Sequence, residues 1–366
     1  MTVVVFAGGG TGGHLMPALA IADAMVEEDH RIEPYFVGSR RGVEAQVLPA
    51  RPWRHTLLPL EPLYRQRWWR NARLAVQLVR SLRGIRRVLR RERPALVMGT
   101  GGYVSGPTVW AAQQAGIPTV LQEQNAYPGF ATRRLARGAR QVHLGFPEAE
   151  RFLKAGERTR VFVTGNPIPQ PPAPRPPRPS AKATLGFAPD RPLVLVVGGS
   201  QGALALNEAV AAALRGGLWP VGVQLLWQTG VRTHERFAAL ASDAVSVRAF
   251  LDPIADAYAA ADLVVGRAGA MTLAELAAWG LPAILVPLPT AAANHQLVNA
   301  RALAGAGAAV LLEQQRLSAE SLAAQVNTVI TQPARLADLA RAIRDRGHPD
   351  AARRIARAAL ELVQTI

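Results

Sequence analysis

The sequence predicts an α/β protein built as two similar halves, each a parallel sheet wrapped by helices. Three observations carry that reading. Short β-branched runs alternate with longer helical patterns through both halves, the pattern of βαβ units. A glycine-rich turn joins an apolar run to a helix at Gly8 and again at Gly198, so the second half repeats the opening of the first. Between them, eight of the thirteen residues from Pro167 to Pro179 are proline, which lacks the backbone amide that a helix or sheet needs.

Val3 to Phe6 reads as a buried first strand and Pro17 to Glu28 as the helix after it. Further strands are expected at Ile32 to Val37, Ala95 to Met98, Thr119 to Leu121, Gln141 to Leu144 and Val161 to Thr164. A proline-rich linker over 165–192, extended and partly stiff from Pro167 to Pro179, then separates a domain of residues 1–164 from one of 193–349. Beyond it, Leu193 to Val197 leads into a helix from Ala203 to Leu214. Strands follow near Gln224 to Gln228, Val245 to Ala249, Leu263 to Val265, Ala283 to Val286 and Ala309 to Leu312, separated by Ala-rich helices. The tail, 350–366, carries a basic amphipathic helix from Asp350 to Val363.

The 366 residues suffice for two domains that each close a core. Hydrophobic residues make up 49% and charged residues 19%, with mean hydropathy +0.08. Such a chain is too apolar to be disordered and too interrupted for a helical membrane protein. Thr2 to Phe6 runs straight into glycines, too short for a signal-peptide core. The lack of cysteine excludes disulfides, thiolate metal sites and a cysteine nucleophile, and suits a reducing compartment. Lys and Arg number 42 against 26 Asp and Glu, a net charge of +16. That excess is either solubilising surface or the mark of an anionic partner: nucleic acid, phosphorylated substrate or acidic lipid.

Three glycine loops carry the chemistry. The first, Gly8 to His14, lies between strand and helix, where backbone N–H groups and the helix dipole face an anion. Gly8, Gly10 and Gly13 fit G-x-G-x-x-G. A dinucleotide site expects an acid after the second strand, whereas Val37 is followed by Gly38, Ser39, Arg40 and Arg41. Those arginines keep an NADP 2′-phosphate, and an NADP-dependent oxidoreductase, open. The second loop, Gly99 to Pro107, follows the strand ending at Met98. The third, Gly198 to Gly202, is placed to bind a nucleotide diphosphate. Loops at strand ends in both halves suit one domain holding an activated donor and the other an anionic acceptor.

Eight segments in order resemble the MurG family of bacterial peptidoglycan glycosyltransferases. They are Gly9 to Pro17, Gly99 to Pro107, Glu123-Gln124-Asn125, Gly165-Asn166-Pro167, Val197 to Ala203, Gly269 to Glu275, Leu281-Pro282-Ala283 and Asn294-His295-Gln296. The resemblance implies the GT-B fold, two Rossmann-like domains with parallel sheets facing across a cleft, and a last helix crossing back to the first domain. It implies transfer of N-acetylglucosamine from UDP-N-acetylglucosamine to the MurNAc 4-hydroxyl of lipid I, with inversion, giving lipid II.

Roles follow by resemblance. Ser200 and Gln201 meet the diphosphate of UDP, and Leu251 reads the uracil edge through its backbone. The donor segment continues over Ala270, Met271, Thr272, Leu273, Ala274 and Glu275, whose carboxylate accepts both ribose hydroxyls. Gln296 and Asn125 contact the sugar or its phosphate linkage, and Thr11, Gly12 and Gly13 close over the sugar. Gly10, Gly101, Gly102, Tyr103 and Ser105 are expected to hold the acceptor diphosphate. Inversion calls for a base, for which His14 and Glu123 are the candidates. With no Asp-x-Asp pair and seven scattered histidines, loop amides and a helix dipole are expected to stabilise the leaving diphosphate. No metal and no cofactor beyond the co-substrate are expected. Three positions depart from the family: Gln122 stands for a histidine, Pro169 for an arginine and Ala268 for a serine, with Arg267 a candidate replacement for the lost charge.

From Arg65 to Arg93 eleven arginines face one acid, Glu92. Leu78, Leu82, Ile85 and Leu89 share one helix face, expected to pack into the core. Trp68 and Trp69, among Arg65, Arg67 and Arg70, are expected to anchor on the anionic inner leaflet of the cytoplasmic membrane. The protein is accordingly expected to be peripheral to that membrane's cytoplasmic face. No nucleic-acid partner is expected, since aromatics spaced along a groove and a recognised binding module are absent; a basic nucleic-acid or lipid-binding protein is the non-enzymatic alternative.

Overall fold

The computed structural model describes residues 1–61, 72–199, 201–291 and 294–364. The chain forms two compact units, Met1–Pro169 with Asp350–Ile366, and Gln170–Pro349. In the first, strands β1 (Thr2–Gly8), β2 (Ile32–Ser39), β3 (Arg54–Leu58), β4 (Leu96–Gly101), β5 (Thr119–Glu123), β6 (Gln141–Leu144) and β7 (Arg160–Val163) form a sheet. Its order is β3-β2-β1-β4-β5-β6-β7, and every pairing is parallel. Helices α1 (Gly12–Glu28), α2 (Glu44–Val47), α3 (Ala72–Glu92), α4 (Gly102–Gln114) and α5 (Phe130–Leu135) connect the strands. Because strand side chains alternate, β1 feeds two cores: Val4 and Phe6 join Leu15 and Ile21 of α1, whereas Val5 joins Ile85 of α3 and Val109 of α4.

The second unit carries β8 (Leu193–Val197), β9 (Gln224–Gln228), β10 (Val245–Arg248), β11 (Leu263–Gly266), β12 (Ala283–Leu285) and β13 (Val310–Leu311), in the order β10-β9-β8-β11-β12-β13. These strands also pair in parallel. Its helices are α6 (Arg178–Thr184), α7 (Leu204–Arg215), α8 (His234–Phe237), α9 (Ile254–Ala260), α10 (Ala270–Trp279), α11 (His295–Gly305), α12 (Ala319–Ile330) and α13 (Pro333–Arg344). The last helix, α14 (Ala351–Gln364), belongs to the first unit. It buries Ile355, Ala356, Ala359 and Leu360 against α1, and Arg357 pairs with Glu28 at 2.9 Å.

Three elements differ from the sequence reading. The edge strand β3 was not anticipated, because Arg54, His55 and Thr56 give no apolar run. Helix α1 begins five residues before Pro17, so its first turn is made of loop residues and Pro17 lies inside the helix. Within the linker 165–192, helix α6 starts at Arg178, where the expected extended stretch ends, and its buried Lys182 pairs with Asp262 at 2.7 Å. On the basic helix α3, Ile85 and Leu89 are buried and Leu82 packs on the core, but Leu78 is exposed.

Where β6 meets α14, Gln141 donates to the Ala358 carbonyl at 2.7 Å, and its Oε1 lies 3.1 Å from His143 Nε2. The His143 ring stacks on Phe162 with centroids 5.1 Å apart. Burial, reinforced by Arg354 of α14, pulls its pKa down from 6.5 to about 3. The unfolded chain therefore takes up this proton first. Stability from neutral His143 is full above pH 6.5 and is lost on acidification toward the folded value, at about 1.4 kcal/mol per pH unit. Urea unfolding between pH 7.5 and 5 should show this extra acid slope in the parent and lose it in His143→Leu.

Candidate active site

In each sheet the winding reverses beside the first strand. β1 lies between β2 and β4, and β8 lies between β9 and β11. At such a switch point the helices after the two flanking strands go to opposite faces, leaving a crevice at the carboxyl ends.

In the first unit that crevice is bounded by the starts of α1 and α4, neither of which has a side-chain cap. Their first-turn amides and dipoles make the place suited to an anion. The two loops interlock. A Cβ on Gly102 (φ +78°) would strike the Gly9 carbonyl, and one on Gly101 (φ +99°) would come within 2.6 Å of His14 Cδ2. The imidazole of His14 therefore sits against the second loop, with Nδ1 3.0 Å from Thr11 Oγ1 and its own carbonyl accepting from Thr100 Oγ1 at 2.8 Å. Thr11 is the N-cap position of α1, and Gly12 and Gly13 are its first residues.

The first loop is held from beneath by a carboxylate that the sequence reading missed. Glu44 is fully buried, accepting from Gly10 N and Ser39 N at 2.8 Å each. A Cβ on Gly9 would come within 2.5 Å of that carboxylate, so the glycine is required by packing. The Gly10 amide, expected to face the acceptor diphosphate, thus donates to Glu44. Tyr103 reaches across to Ser39, hydroxyl to hydroxyl at 2.9 Å. Ser105 is buried beneath the loop, a Cβ on Gly99 falling 2.5 Å from its hydroxyl.

Glu123, the second candidate base, is also saturated. Its Oε2 accepts from Gly129 N at 2.9 Å and Thr132 Oγ1 at 2.8 Å, and its Oε1 from Asn125 N at 3.1 Å and Asn125 Nδ2 at 3.3 Å. Four donors fill the acceptor capacity of a carboxylate, so Glu123 shapes the loop that carries Asn125. Beside it, Gln122 donates to Asn166 Oδ1 at 2.9 Å and accepts from Gln124 Nε2, which also donates to the Thr100 carbonyl at 2.7 Å.

In the second unit a cavity of about 630 Å³ opens at the starts of α7 and α10, lined among others by Gly199, Gln201, Arg267, Thr272, Gln296 and Gln314. Gln296 Oε1 accepts from Leu288 N at 2.9 Å, so the amide offers its donor end to a ligand. Arg267 is nearly buried and donates to the Val286 carbonyl at 2.9 Å; burial pulls its pKa below the ordinary arginine value. Gln228 joins the third loop to Leu251, donating to the Gly199 carbonyl at 3.1 Å and accepting from Leu251 N at 3.0 Å. The Leu251 amide is thus engaged by Gln228. On α10, Ala270 and Leu273 are buried, while Met271, Thr272 and Ala274 are half-buried. Glu275 accepts from the Tyr258 hydroxyl at 2.8 Å. Burial raises the Glu275 pKa, and the hydroxyl opposes that rise. Gln314 and Tyr258 were not singled out from the sequence, since neither lies in a glycine loop. Ser200, Trp68, Trp69, Arg65, Arg67 and Arg70 lie outside the described residues. Among the described residues, no three His, Asp or Glu side chains gather as a metal site.

Comparison with known proteins agrees with this geometry. The glycosyltransferase family 28 N-terminal domain matches residues 4–144, and the family's C-terminal domain matches 193–355. A relative from Syntrophotalea carbinolica is 43% identical, covering 97% of each chain. One from Anaeromyxobacter sp. is 43% identical over 99% of this chain and 93% of its own. Both are named UDP-N-acetylglucosamine--N-acetylmuramyl-(pentapeptide) pyrophosphoryl-undecaprenol N-acetylglucosamine transferase. The crystal structure of Acinetobacter baumannii MurG superposes with a TM-score of 0.78 at 30% identity, covering all of both chains. A kitacinnamycin glycosyltransferase, 18% identical with a TM-score of 0.71, shares the fold. Matched in order through both halves, the chain belongs to glycosyltransferase family 28 and, within it, to the MurG family.

Proposed function

We infer that the protein transfers N-acetylglucosamine from UDP-N-acetylglucosamine to the MurNAc 4-hydroxyl of lipid I, inverting the anomeric carbon and releasing UDP with lipid II. The observation that carries the chemistry is His14, held between two glycine loops at two uncapped helix starts. The acceptor diphosphate lies at those helix starts, bound by the amides of Gly101 and Gly102 and the first turn of α1. As the acceptor oxygen bonds to the anomeric carbon, His14 takes its proton through Nε2, the ring nitrogen not bonded to Thr11. The bond to the UDP oxygen breaks, and UDP leaves with the electron pair. Gln201, the third-loop amides and Arg267 receive the charge on the leaving diphosphate. Gln296 holds the sugar, and Glu275 the ribose. An NADP-dependent oxidoreductase is disfavoured by the match of both halves to glycosyltransferase family 28 and its curated relatives.

Membrane docking rests on α3 and α4. Val76, Leu78 and Val79 of α3 and Trp110 of α4 are exposed hydrophobics. They accompany exposed Arg80, Arg83, Arg86, Arg87 and Arg90, with Arg86 5.9 Å from the Trp110 ring centroid. An apolar strip fringed by arginines suits the cytoplasmic face of an anionic bilayer, beside its lipid-linked acceptor.

His14→Ala should lower kcat by about 10²- to 10⁴-fold while calorimetry shows unchanged UDP affinity. Equal losses in both would reassign His14 to loop positioning. Glu44→Gln sets an amide donor against a backbone donor, so the loop shifts, at about 1 to 3 kcal/mol. Steady-state kinetics should show a lower kcat and a raised KM for lipid I, with KM for UDP-N-acetylglucosamine preserved. For the membrane face, Leu78→Ser with Val79→Ser should cut binding to anionic vesicles and turnover of lipid I, yet spare a short-chain soluble acceptor. Parent binding should weaken as salt shortens the Debye length to about 10 Å at 0.1 M; salt-indifferent binding would remove the electrostatic part of the reading.

A further inference from the structure

We propose that Tyr258 is a positioning residue for donor recognition, its hydroxyl fixing the Glu275 carboxylate so that the remaining acceptor sites of that group receive the two ribose hydroxyls. The inference rests on the reading of Glu275 as the ribose carboxylate. Tyr258 lies on α9, 3% exposed, and donates to Glu275 Oε2 at 2.8 Å. Each carboxylate oxygen has two acceptor sites, so Oε2 can take Tyr258 and one ribose hydroxyl while Oε1 takes the other. A neutral donor suits this task better than a cation, because it leaves the carboxylate its charge without an ion pair for the ribose to displace.

The phenol is itself held rigid. Its ring lies 6.1 Å from that of Trp279, at the far end of α10 from the cavity. Arg175 covers the Trp279 ring at 5.4 Å and donates to the Trp279 carbonyl at 2.9 Å and the Ala278 carbonyl at 2.5 Å. These contacts close the carboxyl end of α10, whose first residues line the donor cavity and whose Glu275 meets Tyr258. Burial pushes the Tyr258 pKa well above its ordinary value, so the hydroxyl keeps the proton it donates. Preorganisation of this kind removes the cost of fixing a carboxylate rotamer when the ligand binds.

The test compares UDP with 2′,3′-dideoxyuridine diphosphate, which lacks both ribose hydroxyls, by calorimetry on the full-length parent, Tyr258→Phe and Glu275→Gln. The parent should prefer UDP. Tyr258→Phe should weaken UDP by about threefold to tenfold, the scale of one hydrogen bond, and leave the dideoxy analogue within about twofold. An unchanged UDP affinity overturns the proposal, and so does equal weakening of both ligands, which marks a merely structural role. Glu275→Gln should lose most of the preference for UDP. If that preference survives in Glu275→Gln, the ribose reading of Glu275 fails and the Tyr258 proposal with it; if it is lost there but intact in Tyr258→Phe, only the Tyr258 proposal fails.

Discussion

A parallel sheet that winds outward in both directions from its first strand leaves one gap among its covering helices, and both halves of this chain are organised by that gap. In the first unit it falls between β1 and β4, in the second between β8 and β11. Helix starts are brought to the gap by the right-handed crossovers, so unpaired amides and positive dipole ends gather there without any specialised residue. Glycine is then required because backbone must lie on backbone. Gly102 packs on the Gly9 carbonyl in one unit and Gly202 on the Thr229 carbonyl in the other. The gathering of helix starts at both gaps is a consequence of topology; side chains decide what each gap does with it.

Carboxylates illustrate that division. Glu44 and Glu123 sit close to a crevice meant for an anion, where an uncompensated negative charge would oppose binding. Both are instead spent on neighbouring donors: Glu44 on two backbone amides, Glu123 on two backbone amides, a hydroxyl and a side-chain amide. Their charge is absorbed locally, and what they do is hold loops in shape. The imidazole of His14 stands apart from both, set against the second glycine loop with Thr11 on its Nδ1. Glu275 differs, with the Tyr258 hydroxyl on one oxygen. It retains acceptor capacity for a ligand.

The strands were legible because buried parallel strands are continuous apolar runs; all six of the second half fall at the expected places, within a residue or two at their ends. The edge strand β3 was not, since half of its surface faces water and its residues read as a loop. The glycine loops were legible by spacing, but how each donor is used was not. Gly10 and Leu251 look available in sequence, yet their amides are claimed by Glu44 and Gln228, residues 34 and 23 positions away. Glu44 follows a glycine-arginine stretch and reads as a surface acid. Tyr258 lies 17 residues from Glu275, on another helix. Competition for hydrogen bonds is decided by tertiary neighbours, which spacing alone does not encode.

The three departures from the family pattern can be judged by the same logic. Gln122 stands where the family has a histidine, and the structure places it in a buried amide chain joining β5 to Asn166 and, through Gln124, to the Thr100 carbonyl. An amide supplies both a donor and an acceptor there at every pH, so this buried junction keeps its hydrogen bonds without a titratable group. Pro169 removes a cation from the first unit, whereas Arg267 brings one to the donor cavity of the second. Burial lowers its pKa, but an arginine stays charged in proteins, and burial strengthens its field on a diphosphate by lowering the local dielectric. The third change, Ala268 for serine, is buried next to that arginine, and the Asn299 amide donates to its backbone carbonyl at 3.3 Å. A methyl there needs no further partner, so this departure asks least of its surroundings.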